Sequence, residues 1–138
     1  MSYKKPKKDD ANEKRGPARA IVLVADDEPA LLVVLEHQLT REGFAVRTAD
    51  SVDSALAELG GAGAGAVVCD MNLPGGCRAL LEAVRRWYPS TGFVLISGDP
   101  AVLELGVELH VPAVVKAERG SSGRLARVLR RLVAERRD

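Results

Sequence analysis

Residues Ala66 to Gly75 read Ala-Val-Val-Cys-Asp-Met-Asn-Leu-Pro-Gly, and the fold turns on this stretch. Ala66, Val67, Val68 and Cys69 make a short apolar run with no polar alternation, the pattern of a strand buried on both faces. The run stops at one carboxylate, Asp70, ahead of a Leu-Pro-Gly turn. In open parallel α/β sheets the loops at the carboxyl ends of the strands are where ligands bind, so an acid there is placed for chemistry. Taken alone, Asp70 also reads as an ordinary turn aspartate; the context has to come from the rest of the chain.

Working outward, the same pattern recurs. Upstream, Ala20 to Ala25 is a second buried run, and it ends at Asp26, Asp27, Glu28 and Pro29. Pro29 suits a first helical turn, and Leu31, Leu35 and Leu39 follow at four-residue spacing with Leu32 and Val34 beside them, up to Gly43. Helix capping would need one acid here; the chain supplies three. Phe44 to Ala49 reads as an edge strand, because Arg47 interrupts it, and Asp50 or Ser51 caps a helix carrying Val52, Ala55, Leu56 and Leu59 that Gly60 ends. The glycine-rich Gly60 to Gly65 lacks the Lys and Ser or Thr of a phosphate-binding loop and precedes a strand, so it is a connector. Downstream, Arg78 to Tyr88 is helical with Leu80, Val84 and Trp87 inward; Phe93 to Ile96 is a strand ending at Ser97-Gly98-Asp99-Pro100; a weaker helix holds Val102, Leu105 and Leu109 despite Gly106. Ala113 to Val115 is a last strand ending at Lys116, and Leu125, Val128, Leu129, Leu132 and Val133 stripe a final helix whose other face carries Arg124, Arg127, Arg130 and Arg131.

The 138 residues suffice for one domain with a real core, and 46% hydrophobic with 4% aromatic suits small-residue α/β packing. No apolar run approaches a membrane span and the N-terminus lacks a secretory apolar segment, so a cytoplasmic protein is expected. Met1 to Arg19 holds seven Lys and Arg against three acids, whereas Ala20 to Asp138 holds thirteen against sixteen. The first nineteen residues therefore read as a basic, disordered arm and residues 20–138 as the folded domain. Two cysteines, Cys69 in the buried strand and Cys77 in the following loop, fit neither a disulfide framework nor a metal site; both read as structural or incidental, with a reactive thiol at Cys77 the alternative.

Five βα units in a row imply a five-stranded parallel sheet with helices on both faces. Four strands end in polar groups at comparable points, Asp26 with Asp27, Asp70, Ser97 and Lys116, and strand ends share one rim. Crowded carboxylates need a cation. Mg²⁺ is suited, since it takes one or two carboxylates and fills its shell with water and phosphate oxygens. A carboxylate can then act as nucleophile toward a phosphoryl group, with the metal and a lysine neutralising its oxygens and a serine hydroxyl donating to it.

This ordered set resembles the receiver domain of bacterial response regulators: an acidic pair (Asp26, Asp27), an acceptor aspartate followed by Leu, Pro and Gly (Asp70, Leu73, Pro74, Gly75), Ser97, and Lys116. The resemblance covers about Ala20 to Asp138 and implies a flavodoxin-like (βα)5 three-layer sandwich with strand order 2-1-3-4-5. It implies Asp70, Ser97 and Lys116 as the catalytic set, and Asp27, Asp70 and the main-chain carbonyl of Asn72 as Mg²⁺ ligands with Asp26 acting through water. Three features depart from the family. Ala117 follows the lysine where proline is common, Ala113 stands where the family often has an aromatic switch residue, and the loop after Asp70 is short.

The function expected is that of a stand-alone phosphoacceptor. It would take a phosphoryl group from a histidine kinase or histidine phosphotransfer protein onto Asp70, assist its own phosphorylation and dephosphorylation, and switch contacts with a downstream protein partner. Ser97 and the fourth and fifth helices would carry the output, with Asn72 and Asp99 tuning attack of water on the aspartyl phosphate. With the chain ending at its last helix, no direct DNA binding or membrane contact is expected, and the arginine-rich helix leaves a homodimer open. The alternatives are a phosphorylation-independent interaction module, favoured by Ala113 and Ala117, a receiver excised from a hybrid kinase, and an aspartyl-phosphate phosphatase. The phosphatase nucleophile segment usually has a second aspartate where this chain has Asn72.

Overall fold

The computed structural model describes residues 19–116 and 121–135. The basic arm up to residue 18 and the Lys116–Ala117 peptide, whose geometry the missing proline put in question, lie outside the described residues.

Strand and helix alternate throughout. The elements are β1 (Ile21–Ala25), α1 (Pro29–Arg41), β2 (Ala45–Ala49), α2 (Val52–Gly61), β3 (Ala66–Asp70), α3 (Cys77–Trp87), β4 (Gly92–Ser97), α4 (Ala101–Leu109), β5 (Ala113–Val115) and α5 (Ser121–Ala134). All strand pairings are parallel, in the order β2-β1-β3-β4-β5. β2 is the edge strand that Arg47 announced, and Arg47 lies exposed against Glu58 of α2 at 2.7 Å.

Alternation along the strands divides the core in two. On one face Leu23, Ala25, Val67, Cys69, Phe93 and Leu95 meet α2, α3 and α4; on the other Val22, Val24, Val68, Val94 and Ile96 meet α1 and α5. β3 is buried at every position, so its unbroken apolar run reflects cover on both sides. Ser51 opens α2 with a capping box: its Oγ accepts the Ser54 N–H while Ser54 Oγ accepts the Ser51 N–H. α4 tolerates Gly106 because the helix lies so close to β5 that a Cβ there would sit 2.9 Å from Ala113 Cβ.

Two sequence expectations fail in α3. Helical spacing put Trp87 inward, yet it is 42% exposed with the Arg86 guanidinium 5.2 Å over its ring. The helix ends at that residue, and the chain instead turns Tyr88 into the core, with Leu81 joining Leu80 and Val84. Cys77 lies on the first turn of α3 and not in a loop; it is buried, and burial raises its thiol pKa, which removes it as a reactive thiol. Burial likewise pushes the Cys69 thiol far above its ordinary range.

Candidate functional site

The strand ends do converge. β1 delivers Asp26, 2% exposed, and Asp27, which is exposed; β3 ends at Asp70, 7% exposed; β4 ends at Ser97, 3% exposed; and Lys116 directly follows β5. Register explains the placement: Asp70 pairs with Ile96 and Ser97 with Val115, so each polar residue stands at or just beyond the last rung of the ladder.

Lys116 ties the carboxylates together. Its Nζ lies 3.1 Å from Asp26 Oδ2 and 3.1 Å from Asp70 Oδ1. Its own N–H donates to the Ser97 carbonyl at 2.7 Å, which fixes the lysine across the rim from Asp70. Burial lowers the lysine pKa, but the two carboxylate hydrogen bonds and their charges outweigh it and hold the ammonium above its ordinary value. The other oxygens of the acids are held by the backbone. Asp26 Oδ1 accepts the Glu28 N–H at 2.9 Å, and Asp70 Oδ2 accepts the Asn72 N–H at 3.1 Å.

Ser97 reaches the same rim without joining this network. Its Oγ accepts the Asp99 N–H at 3.0 Å, and among the described residues the hydroxyl bonds to neither Asp70 nor Lys116. Asn72 meets Asp70 through its backbone N–H while its side chain is exposed. The loop after Asp70 is short because α3 starts directly behind Gly76. That loop has supports that sequence reasoning did not find: the Val52 N–H of α2 donates to the Pro74 carbonyl at 3.0 Å, and Gly75, at φ +96°, lies flat against Val52. The Gly after Pro74 was the only signal of it.

One oxygen from each of Asp26, Asp27 and Asp70 lies within 4.8 Å of the others. Three carboxylates and one ammonium leave the cluster two charges negative, and its donors are all hard oxygens, so the set fits a divalent cation of the Mg²⁺ or Ca²⁺ kind.

The fold and rim define a doubly wound parallel α/β domain with an acidic site closed by a lysine. Residues 22–110 match the response regulator receiver domain family, and the chain belongs to that family. Nitrogen assimilation regulatory protein NtrX of Azorhizobium caulinodans is 34% identical over 80 residues, 56% of this chain and 18% of that protein. Transcriptional regulatory protein TcrA of Mycobacterium tuberculosis is 40% identical over 86 residues, 54% of this chain and 34% of that protein. The chain thus spans about a third or less of these relatives. The crystal structure of the receiver domain of NtrX from Brucella abortus superposes with a TM-score of 0.72 at 27% identity, over 83% of this chain and 98% of that one. No helix among the described residues is long and apolar enough to cross a membrane.

Proposed function

We propose that Asp70 is the phosphoryl acceptor of a two-component or phosphorelay system, with residues 20–138 as the receiver unit and the arm outside it. The observation that carries this reading is the buried Asp70 carboxylate gripped by Lys116 Nζ on one oxygen and the Asn72 N–H on the other. A carboxylate so held presents an oriented nucleophile. One of its oxygens forms the bond to phosphorus as the phosphorus–nitrogen bond of a phosphohistidine breaks and the electron pair leaves with the imidazole. The Lys116 ammonium stays protonated throughout the neutral range and faces the negative oxygens of the transferred group. Ser97 has a hydroxyl proton to donate to one of them. Asp26, Asp27, Asp70 and the Asn72 carbonyl would hold a Mg²⁺ ion, which when bound supplies further positive charge to the same oxygens. Later attack of water on the acyl phosphate returns Asp70 to its carboxylate and ends the signal. The donor would be a histidine kinase or histidine phosphotransfer protein. The output would be a changed contact with a protein partner, since a dianion added at Asp70 alters the charge of this rim.

The test is intact-mass and NMR analysis of the full chain with acetyl phosphate or beryllofluoride, with and without Mg²⁺, beside Asp70→Asn. A Mg²⁺-dependent adduct absent from the variant is the expected result. A wild-type protein that takes no adduct would be a phosphorylation-independent interaction module.

A further inference from the structure

The loop that follows Asp70, Met71 to Gly76, is tied down along its length. At its start the Met71 N–H donates to the Ile96 carbonyl of β4 at 2.9 Å, and the Asn72 N–H to Asp70 Oδ2 at 3.1 Å. Two turns then fold it back: the Leu73 N–H bonds the Asp70 carbonyl at 3.1 Å, the Gly76 N–H bonds the Leu73 carbonyl at 2.8 Å, and the Leu73 side chain is buried. Its far end leans on α2, where the Val52 N–H donates to the Pro74 carbonyl at 3.0 Å.

That amide is the first of its helix. The first N–H groups of a helix have no acceptor within it. At the start of α2 the capping box takes up the Ser54 N–H, while Val52 donates outward to the loop. Gly75 permits the close approach: a Cβ there would lie 2.7 Å from Val52 Cγ2 and 2.8 Å from Val52 Cβ, and Gly75 and Gly76 both take φ +96°. The short loop, one of the features in which this chain departs from the receiver pattern, is thus closed by a bond from a neighbouring helix.

We propose that Val52 is a positioning residue whose N–H holds this loop in place for a cation, and that this hold sets a preference for Mg²⁺ over Ca²⁺. This rests on the reading of Asp26, Asp27, Asp70 and the Asn72 carbonyl as a cation site. Asp70 closes β3 and Asp26 directly follows β1, so the sheet fixes both; Asn72 lies two residues into the loop, and its carbonyl goes where the loop goes. Only the buried Leu73 separates Asn72 from Pro74, which receives the bond, so a shift at one is passed to the other. Mg²⁺ demands near-octahedral geometry at short oxygen distances, whereas Ca²⁺ accepts longer distances and variable ligand numbers. A loop that drifts from α2 therefore costs Mg²⁺ a ligand in its required place, and Ca²⁺ adapts.

The experiment is NMR titration of the full chain with MgCl₂ and, separately, CaCl₂, for wild type, Val52→Pro, Gly75→Ala and Val52→Ala, with urea unfolding in EDTA to confirm that each is folded. Val52→Pro removes the amide proton at the first position of a helix, where proline is at home, as Pro29 is in α1, and the extended Ser51 accommodates a following proline. Gly75→Ala parts the same contact by overpacking, so the test does not depend on one variant folding. Both should weaken Mg²⁺ binding about tenfold, the usual cost of losing a group that orients a ligand, and Ca²⁺ binding by less. Val52→Ala keeps the N–H and should bind both ions as the wild type does. Unchanged Mg²⁺ affinity in Val52→Pro and Gly75→Ala, an equal loss for the two ions, or a loss in Val52→Ala as large as in Val52→Pro would each overturn this inference and leave the cation site standing. A wild type that binds neither ion overturns both.

Discussion

Lys116 is the residue on which the charge balance of the site rests. Two buried carboxylates face its Nζ at 3.1 Å, and its raised pKa means that the folded state holds the proton more tightly than the unfolded chain does. Stability from this group is therefore complete below the ordinary lysine value of 10.5 and is lost as pH rises through the higher folded value. Lys116→Met leaves Asp26 and Asp70 without their partner. Breaking a fully buried pair costs about 3–5 kcal/mol; with the lysine side chain 23% exposed, we expect roughly 2 kcal/mol. Denaturant unfolding in EDTA should show that gap constant from neutrality to pH 10.5 and narrowing above it. A gap that stays constant as pH rises well past that value would show that the charge of Lys116 does not set it. A second residue-scale test concerns Gly75. An added Cβ meets Val52 Cγ2 at 2.7 Å and Cβ at 2.8 Å, both on a stiff β-branched side chain, and φ is +96°. Gly75→Ala should destabilise by roughly 2–3 kcal/mol, strain and overpacking together, measured by urea unfolding. A loss below 0.5 kcal/mol, roughly the size of an ordinary surface change, would show that the loop gives way freely.

At the scale of elements, what ends a helix matters more here than what fills it. α4 closes on His110, which takes the left-handed conformation at φ 59° and ψ 42° while its N–H bonds the Val107 carbonyl. A left-handed non-glycine costs about 1–2 kcal/mol, offset in part by the greater unfolded freedom of glycine, so His110→Gly should raise stability by about 0.5 kcal/mol. A lowered urea midpoint would indicate that the imidazole makes a contribution larger than the strain. The same emphasis explains what could be read from sequence. The apolar runs of β1, β3 and β4 were legible because two-sided burial removes polar alternation, and the cap of α2 was legible to within one residue, Asp50 or Ser51, because either can accept the free N–H groups of a first turn; the structure takes Ser51. Trp87 was misplaced for the opposite reason. It lies three residues after Val84, but periodicity says nothing about where the helix stops, and the stop at Tyr88 exchanged which aromatic residue faces the core. The order of the site residues was visible as polar punctuation at strand ends. Their meeting on one rim was expected as well, but the two ion pairs that Lys116 makes with Asp26 and Asp70 were not, because they depend on the register of β5 beside β4.

Across the whole molecule, the sheet is the shared wall of two cores, and the site sits on its rim. Leu80 of α3 and Leu129 of α5 are both fully buried but on opposite faces, and no side chain of one cluster belongs to the other. What couples them is the set of central strands, whose alternate residues serve each side: Val67 and Cys69 against Val68, Leu95 against Val94 and Ile96. If that wall makes the domain one cooperative unit, damage on either face must be felt on both. Trp87, the single tryptophan, lies on α3 and gives a fluorescence probe of the Leu80 side alone, while far-ultraviolet circular dichroism averages all elements. Leu129→Ala opens a cavity on the far face and should cost about 2–5 kcal/mol. Its urea midpoint should fall equally by Trp87 fluorescence and by circular dichroism, as should that of Leu80→Ala. A Trp87 transition left at the wild-type midpoint in Leu129→Ala, with the dichroism split in two, would show that α1 and α5 unfold from the sheet on their own. The rim would then lose Lys116 from its place opposite Asp70 before the α3 face melts, because β5 leads directly into that lysine.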